Sequence, residues 1–214
     1  MLSRVTGKSL PLLGGTLCVD FVNTIDPRLK APREEFLPTY GKFVEWAVFV
    51  GLLTKAEGRS LTRWANEHPS AAAVVHRRAI RFREALYCLL RRSDERRCLA
   101  AVNRELRRGA RDVRLNSDSG TYSTRWQPGF EILGPIIQSA FELLTSPELS
   151  HVRMCAGDGC GWLFVDNSRT HRRRWCSMAI CGNRAKASRN RRRVRRLVRK
   201  NATNAVSHLT VRSR

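Results

Sequence analysis

The sequence predicts a mainly α (α+β) fold: a helical N-terminal part with one small β-hairpin, then a compact module built around four cysteines and continued by a basic helix. Three observations carry this reading. Apolar residues recur at spacings of three and four through most of the first 150 positions, as in AAAVVHRRAIRFREALYCLLRR, residues 71–92. Four of the seven cysteines stand in one frame, Cys155-x4-Cys160-x15-Cys176-x4-Cys181. Positive charge gathers at the C-terminal end: from His151 onward there are 17 basic and 2 acidic residues, against 23 and 16 before it, within a formal net charge of +22.

Taken in order, GTLCVDFVNTI (15–25) reads as a mostly buried helix or strand in which Asp20 and Asn23 are polar exceptions. They are candidates for a polar pocket, against the plainer role of capping or cross-linking a core. A Pro-rich connection follows over residues 26–38. Thr39 caps a helix expected to run through Leu53, with Phe43, Val44, Trp46, Ala47 and Val50 at helical spacing. Thr54 and Glu57 match a capping box, opening a helix that turns Leu61, Trp64 and Ala65 inward and stops near His68-Pro69.

The helix over 71–92 buries Val75, Ala79, Phe82, Leu86 and Leu89, and its arginines Arg77, Arg78, Arg81 and Arg83 read as a solvated face. The next, over 93–108, turns Leu99, Val102 and Leu106 to one side. NSDSG between VRL and TYSTRW reads as the turn of a hairpin, and GPIIQSAFELLTS as a helix from Pro135 to Thr145. The expected organisation is a helical domain over 1–150, a cysteine module with its basic helix over 151–200, and a flexible tail over 201–214.

The cysteine frame suits tetrahedral zinc, because each short pair supplies two thiolates from one turn and the chain between them closes the cage. One structural Zn2+ held by Cys155, Cys160, Cys176 and Cys181 is expected. Gly157, Gly159 and Gly161 let the backbone fold tightly round the first pair, and WLFVD after Cys160 reads as a short strand. A redox pair would use a two-residue spacer, and a nucleophilic cysteine would need a base, for which His171 is the nearest residue. His151 and His171 are also weighed as substitute ligands. Cys18, Cys88 and Cys98 lack paired spacing and read as core or surface thiols.

After the fourth ligand, CGNRAKASRNRRRVRRLVRK contains no proline and reads as a helix, giving knuckle, β-hairpin, knuckle and helix in the manner of a treble clef. Arg184 and Arg191 fall on one side of that helix, and Lys186, Asn190 and Arg193 on another. With Arg189 and with Arg172, Arg173 and Arg174 before the third cysteine, these are candidate nucleic-acid contacts, since Arg, Lys and Asn match base edges and phosphates. Trp162 and Trp175 flank the module and are read either as packing or as stacking platforms.

No stretch of about 18 apolar residues occurs, so no membrane span is expected, and Lys8 and Pro11 break any signal-like core near the start. A cytoplasmic, nucleoid-associated protein is expected, where cysteines serve metals or catalysis before disulfides.

Cys181-Gly182-Asn183-Arg184, with Cys155, Cys160, Phe164-Val-Asp166 and RRRWCSMAICGNRAKA around it, closely resembles the CGNR zinc finger over residues 151–193. LCVDFVNT and the helical region after it resemble the ABATE domain that accompanies that finger, described as a stress-induced transcription regulator of bacteria. The resemblance implies zinc on the four named cysteines and a DNA-binding role. The implied protein is a DNA-binding regulator on double-stranded DNA, whose helical domain senses a small-molecule effector or dimerises; the limited contact area of one finger favours a homodimer. An RNA- or ribosome-associated module is the alternative, and an enzyme with an unrecognised N-terminal site a further one. Residues 1–150 show no triad, Gly-rich phosphate loop or His-Glu metal motif, so no enzyme is expected.

Overall fold

The computed structural model describes residues 10–118 and 121–210. Seven α-helices occur among them: α1 (Leu17–Val22), α2 (Tyr40–Phe49), α3 (Lys55–Glu67), α4 (Pro69–Leu90), α5 (Glu95–Asp112), α6 (Leu133–Thr145) and α7 (Asn183–Thr210). Three antiparallel two-stranded sheets accompany them: β1 (Ile25–Asp26) with β2 (Glu34–Glu35), β3 (Val113–Asp118) with β4 (Thr121–Trp126), and β5 (Val152–Met154) with β6 (Leu163–Val165). The fold is mainly α, as the sequence indicates.

Local chemistry sets most element ends. Thr39 accepts the Lys42 N–H at the start of α2. That helix stops at Phe49 rather than Leu53, because Gly51 takes φ +78 and the N–H groups of Leu52 and Leu53 turn back to the Ala47 carbonyl. The Thr54/Glu57 capping box is present at α3. Pro69 opens α4 two residues earlier than expected, where its missing N–H costs nothing. Pro135 is the third residue of α6, which begins at Leu133. In the β3–β4 hairpin Val113 faces Trp126 and Asp118 faces Thr121, while Ser119 and Gly120 of the expected turn lie outside the described residues. The chain beyond 200, expected as a tail, continues α7 to Thr210; residues 211–214 lie outside the described residues.

Phe21, Phe43 and Trp46 are fully buried and meet with ring centroids 5.7 to 6.2 Å apart, forming the middle of the core. α4 runs past this cluster and packs against α1, α2, α3, α5 and α6. The inward face of α5 is Cys98, Val102 and Glu105, not Leu99, which stays 42% exposed. Glu105 is buried because Arg78 of α4 reaches it at 3.0 Å.

Arg83, read from its spacing as solvated, is 1% exposed. Its guanidinium donates to both carboxylate oxygens of Glu35, at 2.7 and 2.5 Å, to Thr24 Oγ1 and to Glu84. Arg28 joins through the other oxygen of Glu84 at 2.6 Å, donates to the Val22 carbonyl and lies over the Tyr87 ring. Arg83, which periodicity assigns to solvent, is thus buried together with Arg28, and pairing them with carboxylates offsets the desolvation. Arg77 and Arg81 do remain exposed.

Cys88 and Cys98 form a disulfide, correcting the expectation of separate thiols. The turn between α4 and α5 returns the chain so that their Cα atoms lie 6.1 Å apart, a separation no spacing motif announces.

The segments 1–150 and 151–200, expected as separate units, share one apolar cluster containing Leu163, Phe164 and Val165 beside Phe21 and Val22. Backbone bonds join them as well. Val165 N–H donates to the Gly14 carbonyl, and the N–H groups of Arg28 and Leu29 donate to Cys160 and Gly159. Asn23, 2% exposed, donates through Nδ2 to the Leu163 carbonyl at 2.8 Å and accepts the Leu163 N–H at 2.9 Å. Its amide thus replaces a neighbouring strand for β6. Truncating it strands both groups of Leu163 in a dry site, so Asn23→Ala is expected to lower stability by about 2–4 kcal/mol, read as a fall in the urea midpoint. An unchanged midpoint would show that water satisfies them.

Candidate metal centre and nucleic-acid interface

β5 and β6 pair with Val152 opposite Val165 and Met154 opposite Leu163, and the first cysteine pair sits in the loop between them. The hairpin therefore carries the first knuckle at its tip, instead of following it as the sequence order suggests. Cys155 N–H extends the ladder to the Trp162 carbonyl at 2.8 Å, and Cys160 N–H closes the turn on the Gly157 carbonyl. A Cβ on Gly157 would stand 3.0 Å from the Cys181 Sγ and 3.2 Å from the Cys160 Cβ, so the loop needs glycine to approach the thiols.

The third ligand returns along this loop, where Ala156 N–H donates to the Arg174 carbonyl. Ser177 then caps a single π-turn, Met178–Gly182, through its hydroxyl and through its carbonyl, which accepts the Cys181 and Gly182 N–H groups. α7 starts immediately after it, at Asn183.

All four sulfurs are buried and lie within 4.8 Å of one another, with Cys160–Cys176 at 3.8 Å and Cys176–Cys181 at 3.7 Å. A tetrahedral ion with Zn–S bonds of about 2.3 Å sets its ligands about 3.8 Å apart, so these spacings match one zinc ion. Main-chain N–H groups of Gly157 and Cys176 point at the Cys155 sulfur at 3.4 and 3.3 Å, the arrangement a thiolate requires. Hydrogen bonding from Cys160 and Cys176 holds the Cys155 thiol well below the usual thiol range, while Cys155 in turn pushes Cys160 and Cys176 upward, and burial raises Cys181. Four thiols this close resist joint ionisation, and a bound dication removes that resistance. The chain thus carries a site for one structural zinc on Cys155, Cys160, Cys176 and Cys181.

The histidines are not in this cluster. His151 and His171 stack on each other 4.0 Å apart, and His171 Nδ1 meets the Asp166 carbonyl at 2.7 Å. Asp166, fully buried, is the organiser of the loop from β6 to Cys176: its carboxylate accepts from the Ser168 N–H and hydroxyl and from the Arg173 N–H. The Asp-x-Ser spacing after a strand is the local signal for this turn, and it is easily overlooked.

Of the basic residues before Cys176, Arg173 is occupied. Its guanidinium covers the Phe164 ring at 4.3 Å and donates to the Trp175 and Cys176 carbonyls. Arg172 and Arg174 stay exposed, as do Arg184, Lys186, Arg189, Asn190, Arg191 and Arg193 on α7. Arg174, Arg184, Arg189, Arg191 and Arg192 line a groove of about 380 Å³ between α7 and the first knuckle, with Asp158 as its one carboxylate and half-buried Trp175 as a wall. Trp162 is packing, being buried with its Nε1–H on the Ile25 carbonyl.

Asp20 and Asn23 do not form a common pocket. Asn23 is engaged by Leu163, and Asp20 Oδ1 accepts the Gly14 N–H at 2.8 Å, fixing the segment that pairs with Val165. Burial pushes the Asp20 carboxyl up to about 6.

Two family comparisons match the chain. The CGNR zinc finger covers residues 151–194, and ABATE, whose description reads "Putative stress-induced transcription regulator", covers residues 15–147. A search of curated proteins found no match.

The Asp20 shift has a definite sign. A carboxyl raised on folding stabilises the fold while protonated, and this contribution is lost as pH rises from about 4 through about 6. At pH 7 the charged form costs on the order of 2–3 kcal/mol. Asp20→Asn is therefore expected to be more stable than the unsubstituted protein at pH 7, with the gap narrowing toward pH 5 in paired denaturant titrations. A gap independent of pH would show that Asp20 titrates normally.

Proposed function

The chain belongs to the ABATE family and carries a CGNR zinc finger, and from that premise we propose that it is a cytoplasmic, nucleoid-associated DNA-binding transcription regulator. In this reading zinc is structural, the helical domain is regulatory rather than catalytic, and the finger holds the DNA. Stress or a small ligand is the signal, and a homodimer doubles the contact area.

The observation that carries the proposal is α7. It spans 28 residues, about 42 Å, and every side chain from Arg189 to Val198 is exposed. Its first turn is tied to the fourth zinc ligand, which gives the exposed part a fixed direction. An α-helix fits the DNA major groove, and Lys186, Asn190 and Arg193 lie along the side away from the knuckle groove, where they can meet base edges. Arg172, Arg174, Arg184 and Arg191 then sit where they can hold flanking phosphates.

An RNA reading has one specific observation in its favour, the half-buried Trp175 in an arginine-lined groove, since unpaired bases stack on such rings. Fluorescence anisotropy with duplex DNA and structured RNA separates the two. Arg184→Ala with Lys186→Ala is expected to keep full zinc content and weaken duplex binding at least tenfold, with the salt slope falling by about one for each phosphate no longer neutralised. Unchanged duplex binding, or RNA bound more tightly than any selected duplex, would overturn the proposal.

A further inference from the structure

A second cavity is lined by none of the four clustered cysteines and by no residue of the basic helix. It is a cleft of about 850 Å³ where the end of α4, the start of α5, the end of α6 and the β5–β6 hairpin meet. Its volume falls within the usual range of small-molecule sites. The floor is apolar, with Leu89 and Leu163 buried and Leu144 half-buried. Leu99 and Met154 face it while remaining 42% and 44% exposed, whereas Cys98 and Val102 beside Leu99 on α5 are buried.

The rim is cationic. Arg91, Arg92 and Arg153 surround the floor, with Glu95 as the one carboxylate among the lining residues. Arg153 uses Nη1 on the Ser150 carbonyl, and Arg91 lies over the Tyr87 ring, whereas Arg92 makes no ion pair among the described residues. Arg92 also holds a left-handed backbone, φ +54, in the turn between α4 and α5, a conformation that costs a residue with a side chain. The Cys88–Cys98 disulfide closes that turn and fixes the wall in place.

We propose that this cleft binds a small amphipathic organic anion, its aliphatic or aromatic body on the leucine floor and its carboxylate on Arg92 and Arg153. Apolar surface left exposed among the described residues, beside arginines that make no ion pair among them, points to this ligand class. The position gives the site reach. Val152 and Met154 line the cleft and lie on β5, the strand that runs directly into Cys155. A ligand seated there touches the helical body and the zinc hairpin together. Its use as the regulatory signal rests on the regulator reading above, whereas the binding itself does not.

The test is calorimetry on the full-length zinc-loaded protein with decanoate as probe and decyltrimethylammonium as its charge-reversed control. Decanoate is expected to bind one to one with about millimolar affinity or better, and the ammonium compound not at all. Arg92→Gly removes the charge while suiting the left-handed backbone, and Leu99→Gln alters an exposed helix position, so both should fold. Each is expected to weaken decanoate at least fivefold. Occupancy should also slow zinc transfer to a chelator at least twofold. Absence of binding, equal binding of the ammonium compound, or affinity untouched by both variants would overturn the site. Binding without slower zinc release would overturn its link to the hairpin. Neither readout involves nucleic acid, so this site and the DNA-binding reading fail separately.

Discussion

The two hydrogen bonds between Asn23 and the backbone of Leu163 hold together what the sequence presents as two modules. A two-stranded hairpin with three residues per strand has an open edge and too little apolar surface to persist alone. Here that edge is satisfied from the helical side: the Asn23 amide serves Leu163, the Gly14 carbonyl serves Val165, and Arg28 and Leu29 bond to the first knuckle. Zinc closes the other end of the hairpin through four buried sulfurs. Leu163, Phe164 and Val165, held from both sides, then enter the same core as Phe21 and Val22.

This shared core orders the functional features along one line. The cleft floored by Leu89 and Leu163 adjoins β5, β5 leads to Cys155, and the thiol cluster ends at the turn that launches α7. Each link is a packed or metal-held contact, so a change at the cleft has a rigid route to the helix that presents Lys186, Asn190 and Arg193. Coupling of this kind requires that the two ends bias one common element, and the β5–β6 hairpin is the element that both the cleft lining and the thiol cluster share. The arginine surplus follows the same division. Arg28, Arg83 and Arg173 are absorbed into the body by carboxylates, carbonyls and rings, while the arginines of α7 from Arg184 to Arg196 stay exposed.

Short-range chemistry is legible in the amino-acid sequence. The Thr54/Glu57 capping box, the amphipathic run that forms α4 and the Cys155-Cys160-Cys176-Cys181 frame all act within one or two turns of chain, where spacing decides the outcome. What escapes depends on partners far away in sequence. Arg83 looks solvated by periodicity and is buried because Glu35, 48 residues earlier, meets it. Asn23 does take the plainer role of a core cross-link, but its partner, Leu163, lies 140 residues later and is not legible from the local run. Leu99 and Cys98 differ by one helical position, and the disulfide with Cys88 together with the Arg78–Glu105 pair decides which of them faces inward. The hairpin surrounding the first knuckle is likewise hard to place from sequence, since β5 is only three residues long and its apolar signal is slight.

The central claim is that the zinc hairpin completes the helical core instead of hanging from it. Thermal unfolding followed by the far-ultraviolet helical signal, before and after removal of zinc by a chelator, tests this most directly. The shared core predicts a single transition for the loaded protein and a fall of roughly 10 °C or more in the helical midpoint once zinc is gone, because even a few kcal/mol lost from a domain of this size moves the midpoint by that order. A helical transition that keeps its midpoint after zinc has left would contradict it, and would show two independent units joined by chain alone.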